Sequence, residues 1–526
     1  MKEEKKIQIP IRKRVWEQSF AKKVDRLSIE RYGISGRRLM ERAGKAVAFQ
    51  VSRRVSRNET VVILVGKGNN GGDALVAARY LFLNGYRLRV IMVVPQDLNT
   101  ECRWQRSALE SEGVILEEYV SGILNDCEQP LTVVDGILGL GFKGELRPPI
   151  RDVLLELKAC QPKRIFAIDL PSGLDPDCWE LNSWSLVADY TVTFGGPKLI
   201  HHLEPARSVC GEIIVENIGF HKQAIIDLKN AERSAFYLVD EKKTIQNNPW
   251  QRLASYSNKY DRGHIIVIGG SPGKYGAAIL AGYSSLRGGA GWVTLGIDHD
   301  EDFNAWKLPM ELTTEPLISR NRIKEDDLFA FVQSRKVRAI VFGPGMTGNP
   351  LHRSLLERLS RLTFDQGIFI LFDAGALHGL FDLLDGIRFK PGKAVITPHP
   401  GEWKKLSKRV TPLVTSLESL KKGRNFIKTS GISCLYKSAT PILLSAERFD
   451  FYFLNSGDLS LSKAGSGDVL AGVVSAHGAL GVTADMALIR SQALVAQAAR
   501  LAEKDHGRHG VLATDIISNL GAAQSQ

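Results

Sequence analysis

The chain has 526 residues, 44 % hydrophobic and 24 % charged. These are ordinary values for a globular protein, and the length exceeds a single core, so roughly two to four domains of ~150 residues are expected. The net charge of +12 invites a nucleic-acid reading, but residues 1–57 hold 17 Lys and Arg against 6 Asp and Glu, and the remainder holds 52 against 51; the excess is local and argues against nucleic acid as a partner.

The basic start reads as amphipathic helix over 16–31 and 36–53, with no apolar signal-peptide core before it. From residue 61, β-branched runs alternate with amphipathic stretches, the signature of βαβ units and a parallel sheet. Strands are predicted at 61–65, 89–94, 132–135, 164–169 and 189–193, with helices at 74–83 and just after Pro148-Pro149. The polar stretch 222–250 leads to a second alternating series, with strands at 264–268, 292–296, 338–342, 368–373, 393–397 and 433–436. Helices at 468–480 and 484–503 close it. The expected boundary lies within 225–245, giving domains 1–228 and 229–526. No run reaches the ~20 apolar residues of a membrane helix. Cys102, Cys127, Cys160, Cys178, Cys210 and Cys434 are scattered without a C-x-x-C pair, which predicts reduced thiols and a cytoplasmic protein.

G-x-G-x-x-G occurs three times, at 66–71, 139–144 and 343–348. Three matches in one glycine-rich chain show how little the pattern discriminates, and no acidic residue closes the strand after the first, which argues against a hydride-transferring dehydrogenase. More informative is Gly68-Asn-Asn-Gly-Gly-Asp73, read as a loop because Asn and Asp disfavour helix interiors. Two other strands end comparably, in VVDGILGLG (133–141) and AIDLPSG (167–173). In a parallel sheet these three loops emerge at the carboxyl edge, where open α/β folds bind ligands. Asn70, Asp135, Asp169 and Ser172 are thereby expected to converge, and an oxygen-only set suits a hard cation or sugar hydroxyls better than zinc.

With LMERAG (39–44) upstream, GNNGGD, VDxxxGxG and IDxPSG resemble, in order, the N-terminal domain of the bifunctional NAD(P)H-hydrate repair enzymes. The resemblance implies a Rossmann-like three-layer αβα domain that epimerises R- and S-NAD(P)HX. It implies that Asn69, Asn70, Gly71, Gly72 and Asp73, with Gly139, Leu140, Gly141, Phe142, Lys143, Gly144 and Glu145, embrace the nucleotide hydrate. It further implies a potassium ion on Asn70, Asp135 and Ser172, and Asp169 as substrate contact and acid/base, with Lys198 beside it.

In the second half, Ala464-Gly-Ser-Gly-Asp468 leads directly into an apolar helix. A glycine turn opening a helix aims backbone N–H groups and the positive dipole end at one point, an anion site. An acid beside it suits phosphoryl transfer, taking a hydroxyl proton while the N–H groups stabilise developing charge. No Walker A sequence is present. GAAILAGYSSLRGGAG (276–291), GPG (343–345), DAxAL (373–377), TPHPGE (397–402) and AGSGDVLAG (464–472) resemble the dehydratase domain of the same enzymes, which has a ribokinase-like α/β fold. The resemblance implies that Ala277, Gly345, His399 and Asp468 contact the hydrate, with Asp468 as base, and that Lys437, Ser438, Ala439, Thr440 and Gly467 contact ADP, accompanied by Mg2+. The implied reaction phosphorylates the C6 hydroxyl of S-NAD(P)HX and then releases phosphate, leaving NAD(P)H and AMP. Ser438 stands where the family has Gly, and Asn455–Lys463 departs from its Asn-x-Gly-Asn pattern. Two other readings stay open on sequence alone: an ATP-dependent vitamin-precursor or sugar kinase fused to a non-catalytic binding domain, and an RNA-decay-like scaffold with a basic arm. Homo-oligomerisation is open as well.

Overall fold

The structure is a computed structural model that describes residues 9–125, 131–232, 235–246, 257–298, 308–320, 322–348, 350–407, 412–413, 415–448 and 450–525. Cys127 lies outside them. The chain divides into two compact units, one comprising Arg14–Phe236 with Val414–Leu417, the other Met1–Lys13, Tyr237–Leu413 and Glu418–Gln526. The strands, in chain order, are β1 (Ile11–Val15), β2 (Thr60–Val65), β3 (Arg87–Met92), β4 (Leu116–Glu118), β5 (Leu131–Gly136), β6 (Arg164–Ile168), β7 (Tyr190–Phe194), β8 (Glu212–Glu216), β9 (Phe236–Val239), β10 (His264–Ile268), β11 (Trp292–Gly296) and β12 (Thr313–Glu315). After the short pair β13 (Ile318–Ser319) and β14 (Arg322–Ile323) come β15 (Val337–Phe342), β16 (Phe369–Phe372), β17 (Ala394–Ile396), β18 (Ser433–Tyr436), β19 (Ile442–Leu444) and β20 (Phe451–Phe453).

The first unit carries a seven-stranded sheet in the order β4-β3-β2-β5-β6-β7-β8, parallel at every pairing. Parallel strands are covered on both faces, which is why β2 reads TVVILV without a polar break. Alternate residues of β2 enter different cores. Val61, Ile63 and Val65 pack with the helices Gly36–Ser52 and Asn69–Leu83; Val62 and Leu64 pack with Val153, Leu154 and Leu157 of the helix Ile150–Cys160. That is the three-layer αβα arrangement. The chain order reverses between β2 and β5, so the loops after these strands flank the crevice where doubly wound sheets bind ligands. Gly44 shows what LMERAG does: a Cβ there would lie 2.4 Å from Val76 Cβ and 2.5 Å from Asp73 O, so only glycine lets the two helices approach this closely.

The second unit holds an eleven-stranded sheet in the order β1-β9-β20-β19-β18-β17-β16-β15-β10-β11-β12. It is parallel from β12 to β18 and antiparallel across β18–β19 and β19–β20. Ile265, Val267, Ala339 and Val341 share one core with Val469, Val473 and the helices Ala484–His506 and Ala513–Gln524. The order reverses between β10 and β15, and the loops after β10, β15, β16, β17 and β18 open on the same edge.

Several elements differ from expectation. The stretch Asn69–Asp73, expected as a loop, is the opening of the helix Asn69–Leu83; Asn69 and Asn70 stand in its first turn, where N–H groups are unpaired and Asn is not costly, and Asp73 in its second. Likewise Ser466 and Gly467 already belong to the helix Ser466–Ala479. β6 ends at Ile168, because Asp169 has φ +65° and turns the chain out of the sheet. The charged IRKRV of β1 was not predicted as a strand; charged side chains suit the sheet edge it occupies.

Candidate active sites

In the first unit, a cavity of about 1060 Å³ lies over the carboxyl ends of the strands. Of the expected residues, Asn69, Asn70, Asp73, Gly139, Leu140, Gly141, Phe142, Lys143, Glu145, Asp169 and Lys198 line it. Gly71, Gly72 and Gly144 do not. Gly71 and Gly72 face inward instead: a Cβ on Gly71 would lie 1.9 Å from Gly66 O, and one on Gly72 2.5 Å from Met40 Cε. Their role in the structure is close packing beneath the cavity.

Asp169 is buried and bonded at one oxygen. Thr193 Oγ1 donates to its Oδ1 at 2.6 Å and Lys198 Nζ at 2.7 Å; Lys198 also donates to Thr193 Oγ1 at 2.6 Å and Phe194 O at 3.0 Å. Burial opposes ionisation of Asp169, but the Lys198 ammonium and the two hydrogen bonds outweigh it and hold the carboxyl below its ordinary value. His201 completes the support. Its Nδ1 accepts from Lys198 N at 3.1 Å, so Nε2 carries the proton and donates to Asp169 O at 2.9 Å. Burial, then Lys198, push this imidazole down to about 3, leaving it neutral.

Beneath the cavity is a buried oxygen cluster. Asp135 Oδ1 accepts from Ser172 Oγ at 2.6 Å and Ile137 N at 3.2 Å, and Oδ2 accepts from Ser172 N at 2.7 Å. Ser172 Oγ accepts from Leu138 N at 2.9 Å. Asn70 Nδ2 donates to Leu138 O at 2.9 Å and Ile168 O at 2.7 Å, which ties the three loops together. Asp135 and Ser172 do not line the cavity.

In the second unit a cavity of about 720 Å³ is lined by Ala277, Gly345, His399, Lys437, Ser438, Ala439, Gly467 and Asp468 among others; Thr440 does not line it. Gly465, at φ +91°, turns the chain into the helix Ser466–Ala479, whose unpaired N–H groups face the cavity near Lys437; a Cβ on Gly467 would lie 3.2 Å from Lys437 Nζ. Lys437 Nζ reaches Asp373 Oδ1 at 3.1 Å and Glu402 Oε2 at 3.7 Å. His399 caps the turn Pro400–Trp403: its Nδ1 accepts from Gly401 N at 3.0 Å, and Glu402 Oε2 accepts from His399 N at 2.9 Å. Burial, then Asp373, push Asp468 up to about 7, against the pull of Lys437. An acid half-ionised at neutral pH suits a general base.

Residues 36–200 match the family model described as YjeF-related protein N-terminus, and 265–521 match that described as NAD(P)H-hydrate dehydratase. The bifunctional NAD(P)H-hydrate repair enzyme of Coxiella burnetii is 26 % identical over 95 % of this chain and 97 % of its own. That of Pyrobaculum aerophilum is 30 % identical over 92 % of each. The chain belongs to this family. A crystal structure of an ADP/ATP-dependent NAD(P)H-hydrate dehydratase from Bacillus subtilis, co-crystallised with ATP and Mg2+, is 20 % identical, with a TM-score of 0.41; it covers 54 % of this chain and 96 % of its own. The repair-enzyme family accounts for the order of both motif sets.

Sequence reasoning missed Thr193 and His201 around Asp169, and the Asp373–Lys437–Glu402 group. It also missed the cavity wall formed by Trp16, Asp25, Met40 and Phe220. Asp373 and Glu402 stand inside motifs already singled out, Asp373 at the end of a predicted strand and Glu402 in the loop after the next one, and that position was the available signal.

Proposed function

We propose that the chain repairs hydrated NAD(P)H. The first unit interconverts R- and S-NAD(P)HX, and the second dehydrates the S form with ADP, giving NAD(P)H, AMP and phosphate. The observation that carries this is the pairing, in one chain, of an ionised Asp169 on a dinucleotide-sized cavity with Asp468 at a helix N-terminus beside Lys437. In the first unit, residues 69–70, 139–143 and Glu145 would hold the nucleotide, with Asp169 toward C6 of the hydrated ring. In the second, Ala277, Gly345 and His399 would hold the hydrate, and Lys437, Ser438 and Ala439 with Gly467 the ADP. Asp468 takes the proton of the C6 hydroxyl as its oxygen attacks the β-phosphorus. The phosphorus–oxygen bond to AMP breaks, and Lys437 with the helix N–H groups stabilises the charge. Phosphate, a far better leaving group than hydroxide, then departs as the N1 lone pair forms C6=N1, and loss of a C5 proton restores the dihydropyridine.

The buried cluster of Asp135, Ser172 and Asn70 fits a potassium ion: its donors are all oxygens apart from the Asn70 amide nitrogen, and among the described residues no cationic side chain bonds the Asp135 carboxylate. The ion would supply positive charge beneath the loops that hold the substrate. Magnesium needs only one or two protein carboxylates beside phosphate oxygens and water; Asp373 and Glu402, which share one ammonium, fit it, and it would neutralise the transferring phosphoryl group. No helix of the described residues is long and apolar enough to cross a membrane. Cys102, Cys160, Cys178, Cys210 and Cys434 are free, which supports a cytoplasmic setting. The test supplies R-NADPHX with ADP and follows dihydropyridine absorbance. Full recovery is expected; recovery limited to the S fraction present would remove the epimerase half.

A further inference from the structure

We propose that Asp73 is the general acid of the epimerisation, with Asp169, which lines the same cavity, as the base. This rests on the epimerase reading above.

Asp73 lies in the second turn of the helix Asn69–Leu83, only 7 % exposed, and lines the cavity. Its carboxyl makes no side-chain hydrogen bond with any described residue. A buried carboxyl without a partner is uncommon in native proteins and marks a group whose partner is supplied otherwise; here the cavity can bring a ligand hydroxyl. Among the described residues, the titratable groups that interact with it are Asp169 after β6, Asp25 of the helix Gln18–Glu30 and Cys102 of the helix Thr100–Ser111, none of them cationic, while Lys22, Lys67, Lys143, Arg147 and Lys198 stand elsewhere on the cavity wall. Burial, then Asp169 and Asp25, push the Asp73 carboxyl well above its ordinary value, which favours the protonated form that can donate a hydrogen bond.

Asp169 is the opposite case. The Lys198 ammonium 2.7 Å away keeps it ionised. Both of its side-chain bonds fall on Oδ1, so among the described residues Oδ2 is left open to receive a proton. Two carboxyl groups on one cavity, driven apart in protonation by their surroundings, divide acid and base between them.

The chemistry needs both. The C6 hydroxyl sits on a carbon bonded to N1, whose lone pair is delocalised toward the ring carboxamide and pushes weakly, so the leaving oxygen must be protonated. Asp73 gives its proton to that oxygen, the C6–O bond breaks and water leaves, while the N1 lone pair forms C6=N1. A water on the other ring face adds to C6 and its proton goes to Asp169, which inverts the centre. One water leaves and one enters, and nothing is oxidised or reduced. The proton moved from Asp73 to Asp169 returns through water in the cavity, and the reverse conversion runs with the roles exchanged.

The full-length chain is tested without nucleotide, resolving R- and S-NADHX by chromatography. D73N keeps the side-chain shape and lacks the transferable proton. Its kcat is expected to fall by about 10²–10⁴-fold, with KM and melting temperature little changed. The wild-type profile loses activity at low pH as Asp169 protonates and at high pH as Asp73 ionises, and only the alkaline limb should vanish in D73N. In wild type in H2(18)O, each inversion should place one solvent oxygen at C6, with no deuterium entering C5 in a parallel run in D2O. A D73N chain as fast as wild type, an unchanged alkaline limb, or retention of the original hydroxyl oxygen overturns the proposal and leaves the epimerase reading intact. A wild-type chain that does not interconvert the epimers overturns both.

Discussion

Replacing Lys198 by Met removes the ammonium beside Asp169 and keeps most of the side-chain volume. The two side chains are 4 % and 9 % exposed and 2.7 Å apart. At that distance and an effective dielectric of ~20, their attraction is about 6 kcal/mol. Breaking a buried pair from one side costs about 3–5 kcal/mol, because the carboxylate left behind can take up a proton rather than stay charged. That escape gives the loss a definite pH dependence. In the wild type the folded carboxyl is held below its ordinary value, so it contributes stability above the unfolded pKa that is lost as pH falls through the folded one. In K198M burial is opposed only by the Thr193 hydrogen bond and His201 and, as the largest influence on this carboxyl, raises the folded pKa, so the variant's stability falls as pH rises from about 4. The deficit should therefore be small near pH 4 and reach its full size near pH 8. Urea unfolding of both chains across that range measures it, read by hydrogen exchange at β6 and β7 so that the first unit is followed by itself. R–S interconversion at pH 7 should be lost in parallel. A deficit that is flat with pH, or under about 1 kcal/mol as for a surface pair, would refute the reasoning.

Two further predictions concern the second unit. D468N should lower phosphate release from S-NADPHX and ADP by about 10²–10⁴-fold and leave interconversion of the epimers in place. Because Asp468 is pushed up to about 7 and must be ionised to act as base, wild-type dehydration should fall as pH drops through 7, and the residual D468N rate should not. G467A adds a Cβ 3.2 Å from Lys437 Nζ, the flexible end of a side chain, so the chain should fold with an unchanged melting temperature. The KM for ADP should nonetheless rise about tenfold, the loss of one charge-assisted contact, with the KM for the hydrate unmoved.

Much of the architecture was legible. His264–Ile268, Trp292–Gly296 and Ser433–Tyr436 were predicted to the residue, because each is a β-branched or apolar run with glycine or polar residues close by. β19 and β20 were missed: each has three residues, and the pairings β18–β19 and β19–β20 are antiparallel beside a run of parallel pairings. The glycine loops were visible, but not the division of labour among the glycines. Gly71 and Gly72 look equivalent to Gly139 in sequence, and their inward packing depends on Gly66 and Met40.

The sequence by itself determined the alternating strand–helix order, the parallel sheets, the strand ends after which Asn70, Asp135 and Asp169 would stand, and the helix start that carries Asp468. Those follow from apolar periodicity and backbone sterics, which act over a few residues. Only the tertiary structure decided the protonation of the acids. Asp73, Asp169 and Asp468 are the same side chain with the same intrinsic acidity. One is pushed well up, one is held below its ordinary value and one is pushed up to about 7, because burial and neighbours brought from 29 to 96 residues away (Lys198 for Asp169, Asp169 for Asp73) set the cost of a charge at each position.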